Sequence, residues 1–444
     1  MDYDILVIGG GPAGAVAAAA ARLRGLRVCV VEKESFPRFR IGESLLPNGN
    51  ALLKAVGAWE KIAAAGFIRK HGAFFFSGYG DEEKEVIFSN CLVPGLDYTF
   101  QVERSRFDQL LLEHARSLGA DIRMRSAVVR LQADRESCSI ELTSPEGPCT
   151  LRGRWILDAS GRESSFSHEL KKQLDPPRLP RRVAVYNHFR GVPRAEGLAA
   201  GHTTVVRLAG GWFWIIPLDH ERTSVGLVTS AERFRGGAKT PGDVFWREVR
   251  QSPRLRQLLH SATPTESYRV TTDYSYFRRS LARERVLLLG DAGGFFDPIF
   301  SSGVYVAMRS ALKAVELLEP AHREDRCLAE RECTRYTRDL KAQARVFEKL
   351  IHAFYDEFGF EVLLSSHVPL KIDRAVASIL AGHTDLTWPL RWRFHAFLLV
   401  CKLQRFVPIS KRLALSRHVV QDGPEPDSGE HPSRGDAVQT GNSG

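Results

Sequence analysis

The chain has 444 residues, of which 43% are hydrophobic and 26% are charged, and its formal net charge is +10. This length suits two or three domains, and no apolar run approaches the roughly 20 residues that span a bilayer. Seven scattered cysteines without a Cys-x-x-Cys pair argue against a disulfide framework and against a metal site. No leader-like segment precedes the first predicted strand, so a cytoplasmic protein is expected.

The positive charge lies mainly before residue 421, because residues 421–444 are acidic overall. A basic surface favours acidic partners, such as phosphopantetheine-bearing carrier proteins or anionic substrates. A solvated basic surface is the simpler explanation of the same charge. No dense basic run interleaved with aromatic residues is present, so a nucleic-acid partner is not expected.

The first predicted elements form a βαβ unit. Asp4–Ile8 is a short apolar strand, Ala15–Arg24 is an alanine-rich helical segment and Arg27–Val31 is a second buried strand. This order predicts an α/β fold that opens with a Rossmann-like domain. Alternating segments between Arg182 and Thr272 then predict an antiparallel sheet that forms a substrate layer.

The apolar strand Val286–Leu289 predicts that the chain returns to the first domain, and helical patterns dominate after Ala307. The predicted organisation is a cofactor domain at 1–166, a substrate domain at 167–281, a return to the cofactor domain at 282–320, a C-terminal helical region at 321–420 and a tail at 421–444. The tail is predicted to be disordered, because its polar composition cannot offset the entropy lost on ordering.

A glycine-rich turn joins the first strand to the first helix, and its residues are Gly9, Gly11, Pro12, Ala13 and Gly14. The pattern Gly-x-Gly-x-x-Gly lets the backbone approach a pyrophosphate at a helix N-terminus. Glu32 closes the next strand, where its carboxylate can accept hydrogen bonds from ribose hydroxyls and would repel a 2′-phosphate. The sequence therefore predicts a dinucleotide site that disfavours NADP.

Two later segments, Leu157–Gly161 and Leu289–Gly293, are similar to motifs of two-domain flavoproteins. This similarity favours FAD over NAD as the dinucleotide. It implies that Asp291 holds the ribityl chain and that Arg104 lies near the flavin pyrophosphate. Taken alone, the two residues could equally be a turn residue and an ordinary surface charge.

Three further motifs resemble those of flavin-dependent halogenases, in the branch that acts on phenols and pyrroles. The first is Trp-x-Trp-x-Ile-Pro, whose signature residues are Trp212, Trp214 and Pro217. The second is the loop Phe36–Pro47, in which the resemblance assigns flavin contacts to Arg40, Ile41, Gly42 and Ser44. The third is Asp297–Val304, in which it assigns halide binding to Ser302 and Gly303, and flavin contacts to Gly303 and Val304. Unpaired amides at a helix start favour an anion there, although they could simply cap the helix.

The resemblance also assigns catalysis to Lys70, as the amine that receives hypohalous acid and passes electrophilic halogen to the substrate. A lysine removed from water has the adjustable pKa that this role requires, whereas an isolated lysine is ordinarily solvated. Halogenases of free tryptophan generally carry a glutamate where this chain has Phe300. The departure favours an electron-rich phenol or pyrrole, either free or tethered to a carrier protein.

The resemblance thus implies reduced FAD delivered by a separate flavin reductase, oxygen, and chloride or bromide, in secondary-metabolite biosynthesis. Two alternatives stay open. One is an FAD-dependent monooxygenase or isoprenoid-type reductase, which would share the glycine turn and the Gly-Asp segment. The other is a catalytically inactive flavin-binding partner protein. Substrate identity and oligomeric state are left open by the sequence.

Overall fold

The computed structural model describes residues 1–162, 168–176, 179–236, 239–273, 275–295, 297–365, 369–413 and 415, so the predicted tail at 421–444 lies outside the described residues. The strands are β1 (Tyr3–Ile8), β2 (Val28–Val31), β3 (Ile68–Lys70), β4 (Gly72–Ser77), β5 (Glu83–Ile87), β6 (Thr99–Gln101), β7 (Asp121–Arg123), β8 (Ala127–Ala133), β9 (Cys138–Ser144), β10 (Gly147–Asp158), β11 (Arg182–Arg190), β12 (Thr203–Arg207), β13 (Gly211–Pro217), β14 (Thr223–Ser230), β15 (Thr263–Pro264), β16 (Arg269–Asp273), β17 (Tyr276–Phe277), β18 (Ala282–Arg283), β19 (Val286–Leu288) and β20 (Gly294–Phe295).

The helices are α1 (Pro12–Arg22), α2 (Gly49–Ala55), α3 (Trp59–Ala63), α4 (Arg104–Ser117), α5 (Glu169–Lys172), α6 (Ala231–Arg235), α7 (Pro241–Gln251), α8 (Pro253–Leu258), α9 (Gly303–Arg323), α10 (Glu330–Tyr355), α11 (Glu357–Leu364), α12 (Ile372–Leu380) and α13 (Trp388–Leu403). Within the described ranges, none of these helices has the length and apolar character needed to cross a bilayer.

The first sheet has the order β18-β19-β10-β1-β2-β7, and β8 and β9 pair at its side. The pairs of β1 with β2 and with β10 are parallel, as are those of β2 with β7 and of β10 with β19. Helices α1, α4 and α9 pack together, and the run Ala17–Ala21 in α1 is fully buried. Small alanine side chains allow this close approach. Strands β1 and β2 are continuous apolar runs, as expected where a parallel sheet is covered.

The second sheet has the order β15-β11-β14-β13-β12-β4-β5, with β16 paired to β11. Its pairs are antiparallel except that of β12 with β4, which is parallel. The predicted α/β architecture, with a Rossmann-like first sheet, a mainly antiparallel second sheet and C-terminal helices, is confirmed. Strands β4 and β5 belong to the second sheet although they lie within 1–166, so the chain enters the second layer earlier than the predicted segmentation places it.

Candidate active site

The two sheets face each other across a cavity of about 500 Å³. Its wall combines the turn after β1, the loop between β2 and α2, strands β11, β12 and β13, and the start of α9. The wall contains most of the residues singled out in the sequence: Gly9, Gly11, Pro12, Ala13, Glu32, Arg40, Ile41, Gly42, Ser44, Arg104, Trp212, Trp214, Asp291, Gly303 and Val304. The fold therefore brings residues that are up to 295 positions apart in the sequence together in one cavity.

Four predicted residues lie outside the cavity wall, namely Gly14, Lys70, Pro217 and Ser302. Gly14 has a packing role, because a Cβ atom at this position would lie 1.8 Å from the carbonyl oxygen of Gly9. Pro217 is buried as the last residue of β13. Ser302 is buried at the start of α9 and Lys70 is buried beside the wall.

The glycine turn leaves room for a ligand next to its backbone. Gly9 has a φ of +100°, which favours glycine, and a Cβ atom added to it would approach Ala159 closely. A Cβ atom added to Gly11 would meet only the end of the Arg38 side chain, at 3.5 Å. The space in front of Gly11 thus belongs to the cavity, and the dipole of α1 favours an anion there. This cradle fits a dinucleotide pyrophosphate.

The Glu32 carboxylate is held by the backbone. Its Oε2 accepts from the amide of Gly10 at 2.7 Å, and its Oε1 accepts from the amide of Glu34 at 2.9 Å. A carboxylate has about four acceptor positions, so each oxygen can still accept from a ribose hydroxyl. The amide bonds fix the side chain at the end of β2, where the sequence predicts the ribose contact.

Arg104 lines the cavity from the first turn of α4 and is held by a buried carboxylate. Its Nε and Nη2 donate to the two oxygens of Asp108 at 2.8 and 2.9 Å, and its Nη1 donates to the carbonyl of Ile41 at 2.6 Å. Burial lowers the pKa of Arg104, but the charge and hydrogen bonds of Asp108 outweigh burial and raise it. Arg38 also donates to Asp108, at 3.1 Å. The position of Arg38 within the loop motif Phe36–Pro47 was a signal, whereas its shared contact with Arg104 at Asp108 was not predicted from the sequence.

Asp291 presents its carboxylate to the cavity. Among the residues that the structure describes, no donor hydrogen-bonds to this carboxylate, so it is available to ligand hydroxyls. Burial raises its pKa, while the charges of Arg162 and Arg104 oppose that rise. A carboxylate that can accept hydrogen bonds from several hydroxyls fits the ribityl part of FAD.

Helix α9 begins at the cavity wall. Ser301 has a φ of +56°, Ser302 precedes the first helical residue, and the 21-residue helix runs from Gly303. A Cβ atom added to Gly303 would meet no heavy atom within 4 Å. The first-turn amides of an α-helix have no intrahelical acceptor, so this open helix start can hold an anion.

Lys70 is buried, with only 3% of its surface exposed. Its Nζ donates to the Oγ of Ser44 at 2.8 Å and to the carbonyl of Leu45 at 3.2 Å, and it lies 5.4 Å from the centre of the Phe88 ring. Burial lowers the pKa of Lys70 to about 7. Its amine therefore gains and loses a proton near neutral pH. Ser44 belongs to the cavity wall, so the amine is separated from the cavity by the Ser44 side chain.

A chain of hydroxyl and amide groups continues from Ser44. Its Oγ lies 3.0 Å from the Oγ1 of Thr203, which accepts from the Nε2 of Gln101 at 2.9 Å. Burial and the nearby charge of Lys70 lower the pKa of His202 to about 4, so this imidazole is neutral at pH 7. The groups around the Lys70 amine are thus uncharged.

The two signature tryptophans share one face of β13. Their rings are 5.9 Å apart and line the cavity, while Phe213 packs into the core on the other side of the sheet. This is the arrangement that strand alternation predicts. The Nε1 of Trp214 donates to the Oγ of Ser224 at 3.1 Å, and that of Trp212 donates to the hydroxyl of Tyr355 at 2.8 Å.

A buried pair of residues beside the tryptophan face of β13 was not predicted from the sequence. Glu43, in the cavity wall, lies 2.8 Å from the Nε2 of His188 on β11. Burial lowers the pKa of His188, but the hydrogen bond and charge of Glu43 outweigh burial and raise it. The position of Glu43 within the loop motif was a signal, whereas nothing in the sequence marks His188.

The first comparison defines the class of protein. The family model described as FAD binding domain matches residues 2–336. A flavoprotein/dehydrogenase from Cytophaga hutchinsonii has a similar structure, with 28% identity, a TM-score of 0.82, and coverage of 90% of this chain and 99% of that one. The chain belongs to this class of FAD-binding proteins, and its predicted FAD cofactor is confirmed.

The relatives narrow the class to one family. A 1H-pyrrole-2-carbonyl peptidyl-carrier-protein chlorinase from Pseudomonas fluorescens is 31% identical over 73% of this chain and 77% of that protein. A tryptophan 2-halogenase from Chondromyces crocatus is 36% identical over 70% of this chain, which spans 60% of that protein's length. The myxobacterial chondrochloren halogenase CndH has a TM-score of 0.74 at 29% identity, with coverage of 90% and 97%. The chain belongs to the flavin-dependent halogenases, as the motifs predicted.

Proposed function

We propose that the chain halogenates an electron-rich phenol or pyrrole, either free or tethered to a carrier protein, with chloride or bromide as the halogen source. FAD, delivered in reduced form, supplies together with oxygen the oxidising power that converts halide into hypohalous acid. The single observation that carries the proposal is the buried amine of Lys70, 2.8 Å from a hydroxyl in the cavity wall. A lysine kept away from water is costly, and this one donates to Ser44 of the cavity wall, so we propose that the oxidant passes from the cavity to its amine.

The residues of the chain have separable roles in this proposal. Gly11 and Arg104 hold the pyrophosphate, Asp291 accepts from the ribityl hydroxyls, and the amides at Ser302 and Gly303 bind the halide. Lys70 then holds the electrophilic halogen, as a haloamine or as hypohalous acid hydrogen-bonded to its amine. The aromatic carbon attacks the halogen, and a carbon–halogen bond replaces the carbon–hydrogen bond. From hypohalous acid the leaving hydroxide takes the ring proton and forms water. From the haloamine, whose formation has already released water, the Lys70 amine is the leaving group and takes the proton.

The separate flavin reductase is part of the proposal because the only Gly-x-Gly-x-x-Gly turn, at Gly9–Gly14, serves FAD. The carrier-tethered substrate is supported by the relatives from Pseudomonas fluorescens and Pseudoalteromonas luteoviolacea, which are named as pyrrole carrier-protein halogenases. We also propose the predicted segmentation, with FAD held by 1–166 and 282–320 and substrate by 167–281, and with β4 and β5 of the first segment extending the second sheet.

A second substrate class is free tryptophan. The observation in its favour is the 36% identity to a tryptophan 2-halogenase. The observation against it is Phe300, a buried apolar side chain whose ring lies 6.3 Å from that of Phe75 and which cannot accept a hydrogen bond from indole or ammonium groups. A phenol or pyrrole substrate carries no ammonium group, so it lacks the cation that such an acceptor would bind.

The decisive experiment is mass spectrometry of products from a panel of phenols, pyrroles, their carrier-bound acyl forms and tryptophan, with FAD, a flavin reductase, NADH, oxygen and chloride or bromide. A halogen isotope pattern is expected with wild type and a loss of at least about 100-fold with Lys70→Ala. Lys61→Ala, which changes an exposed lysine, is the matched control. Oxygenated or reduced products formed without halide would instead identify a monooxygenase or reductase, and flavin reoxidation without any product would favour a binding protein.

A further inference from the structure

Helix α13 is apolar on two opposite faces. Its buried face carries Leu390, Phe394, Phe397 and Cys401, and the last three pack into the main core. A surface helix normally has one apolar stripe that faces the core and a polar face opposite to it. Here the second face is open to solvent in the part of the chain that the structure describes.

The open face begins with Trp388 and Trp392 and continues with Leu399 and Leu403. At 100° per residue these four positions fall within about 60° of one another around the helix, opposite the buried face. Trp388 is 76% exposed, and its ring lies 6.4 Å from that of Trp392. The segment just after the helix adds further exposed apolar residues, namely Phe406, Val407 and Ile409. We call these seven residues, of which Trp392 is half-buried and the others are exposed, the α13 face. Exposed apolar residues grouped in this way are typical of an interaction site.

The charged residues within the segment that forms the α13 face are all basic. Residues 388–413 contain six basic residues and no aspartate or glutamate: Arg391, Arg393, Lys402, Arg405, Lys411 and Arg412. The last three form ion pairs with carboxylates on other elements. No described carboxylate pairs with the first three, and Arg391 and Lys402 lie at about 60° and 40° from Trp388 on the helix, beside the apolar stripe. The α13 face therefore complements an acidic partner.

The α13 face is linked by packing to the site of Lys70. Helix α13 packs on α12, and Ala381, at the end of α12, forms a buried cluster with Phe88. The Phe88 ring is the one that lies 5.4 Å from the Lys70 amine. A partner bound at the α13 face would thus be connected to Lys70 through α13, α12 and Phe88.

We infer that the α13 face docks an acidic carrier domain that presents the aromatic substrate as a phosphopantetheine thioester. This inference rests on the proposed function. Charge complementarity and an aromatic centre flanked by arginine are typical of protein interfaces. A symmetric dimer through this face would bring two unpaired basic clusters together, so a second copy of the chain is a poorer occupant. A small free substrate would need no such surface.

The test compares one acyl group in two forms. Pyrrole-2-carbonyl is presented on a purified acidic peptidyl-carrier domain and as its N-acetylcysteamine thioester, which has no protein part. The variant Arg391→Glu/Lys402→Glu should lower kcat/KM at least tenfold for the carrier form and leave the small thioester unchanged. Trp388→Ser should act in the same direction. Matched controls are Arg338→Glu, an exposed cation on α10, and Leu198→Ser, an exposed apolar residue elsewhere, both of which should behave as wild type.

Binding is measured separately from turnover, by fluorescence anisotropy of the labelled carrier domain at several salt concentrations. Weaker binding of the carrier by the charge-reversal variant and in high salt supports docking, whether or not either acyl form is halogenated. If neither acyl form is halogenated, that result counts against the proposed function and not against docking. Absent binding, or equal binding by wild type and variant, overturns the inference. Two other results overturn the inference when the carrier does not bind. One is co-sedimentation with phosphatidylserine vesicles that Trp388→Ser abolishes, and the other is dimerisation in light scattering that Trp388→Ser abolishes.

Discussion

Lys70 is unusual because its ammonium group has only neutral partners. A serine hydroxyl, a backbone carbonyl and a phenylalanine ring surround it, and the nearby His202 is also neutral at pH 7. Burial without a counter-charge disfavours the charged form, which is the physical reason that its pKa falls to about 7. The same environment that makes this lysine reactive makes it costly for the fold.

Activity should depend on the protonation of this amine. The neutral amine can be N-halogenated and the ammonium form cannot, so we expect the halogenation rate to fall as the pH drops below about 7. The measurement is product formation from a pyrrole between pH 5.5 and 9, at saturating reduced FAD and halide. A rate that instead falls above pH 7 would show that the ammonium form acts, by donating a hydrogen bond to hypohalous acid.

Replacing Lys70 by methionine should stabilise the protein. Between pH 7 and 10.5 the unfolded chain binds a proton at this lysine that the folded chain does not, so wild-type stability rises with pH across this window. Below pH 7 both states are charged and the folded state bears the full cost of burying the ammonium. Thermal unfolding should therefore give Lys70→Met a higher Tm than wild type, with a larger gain at pH 6 than at pH 10. An equal gain at both pH values would contradict this explanation.

At the level of elements, helix α10 links strand β13, which carries the two signature tryptophans, to the start of α9. The hydroxyl of Tyr355, at the end of α10, donates to the Oδ2 of Asp297 at 2.5 Å and accepts from the indole of Trp212. The Oδ1 of Asp297 accepts from the amide of Ile299 at 3.1 Å, in the turn that leads to Gly303. Burial raises the pKa of Asp297, and the hydrogen bond from Tyr355 opposes that rise. Tyr355 is therefore a positioning residue for the proposed halide site.

Tyr355→Phe should raise the KM for chloride on the order of tenfold while changing FAD affinity little. The loss leaves a buried indole N–H and a carboxylate oxygen unpaired, which costs about 1–3 kcal/mol. Without the hydrogen bond from Tyr355 the Asp297 carboxyl is more easily protonated, and a neutral carboxyl accepts more weakly from the amide of Ile299. The rise in KM should therefore be greater at pH 6 than at pH 8. Steady-state kinetics at both pH values measure it.

Tyr336→Phe is the matched control for this prediction. Tyr336 lies on the same helix, and its buried hydroxyl donates to the carbonyl of Leu288 at 3.1 Å, away from the halide turn. It should lower Tm with no change in the KM for chloride. A similar KM change in both variants would mean that Tyr355 acts only through general stability.

On the scale of the whole molecule, the cavity joins the two sheets, so a ligand that fills it binds the folded state alone. FAD at a concentration c should raise the free energy of unfolding by RT ln(1 + c/Kd), about 2.7 kcal/mol at 100 times the Kd, so Tm should rise with the logarithm of the FAD concentration. Gly11→Ala should keep the Tm of the FAD-free protein, because its Cβ meets only a side-chain end at 3.5 Å, yet lose the FAD-dependent increase.

Gly14→Ala is the contrasting variant for this experiment. Its Cβ would lie 1.8 Å from the Gly9 carbonyl, so it should lower Tm even without FAD. Differential scanning fluorimetry with and without FAD distinguishes the two glycines. A normal FAD response in Gly11→Ala would show that the pyrophosphate binds elsewhere.

The sequence alone determined the features that depend on the backbone conformation of single residues and on the alternation of side chains along a strand. Only a glycine tolerates the conformation and close contacts of Gly9, and a period of two places Trp212 and Trp214 on one face of a strand, so both features could be predicted from neighbouring residues. The tertiary structure decided which distant groups meet. It paired β4 with β12, Trp212 with Tyr355 and Glu43 with His188 across more than 120 positions each, because such contacts depend on how the sheets and helices pack.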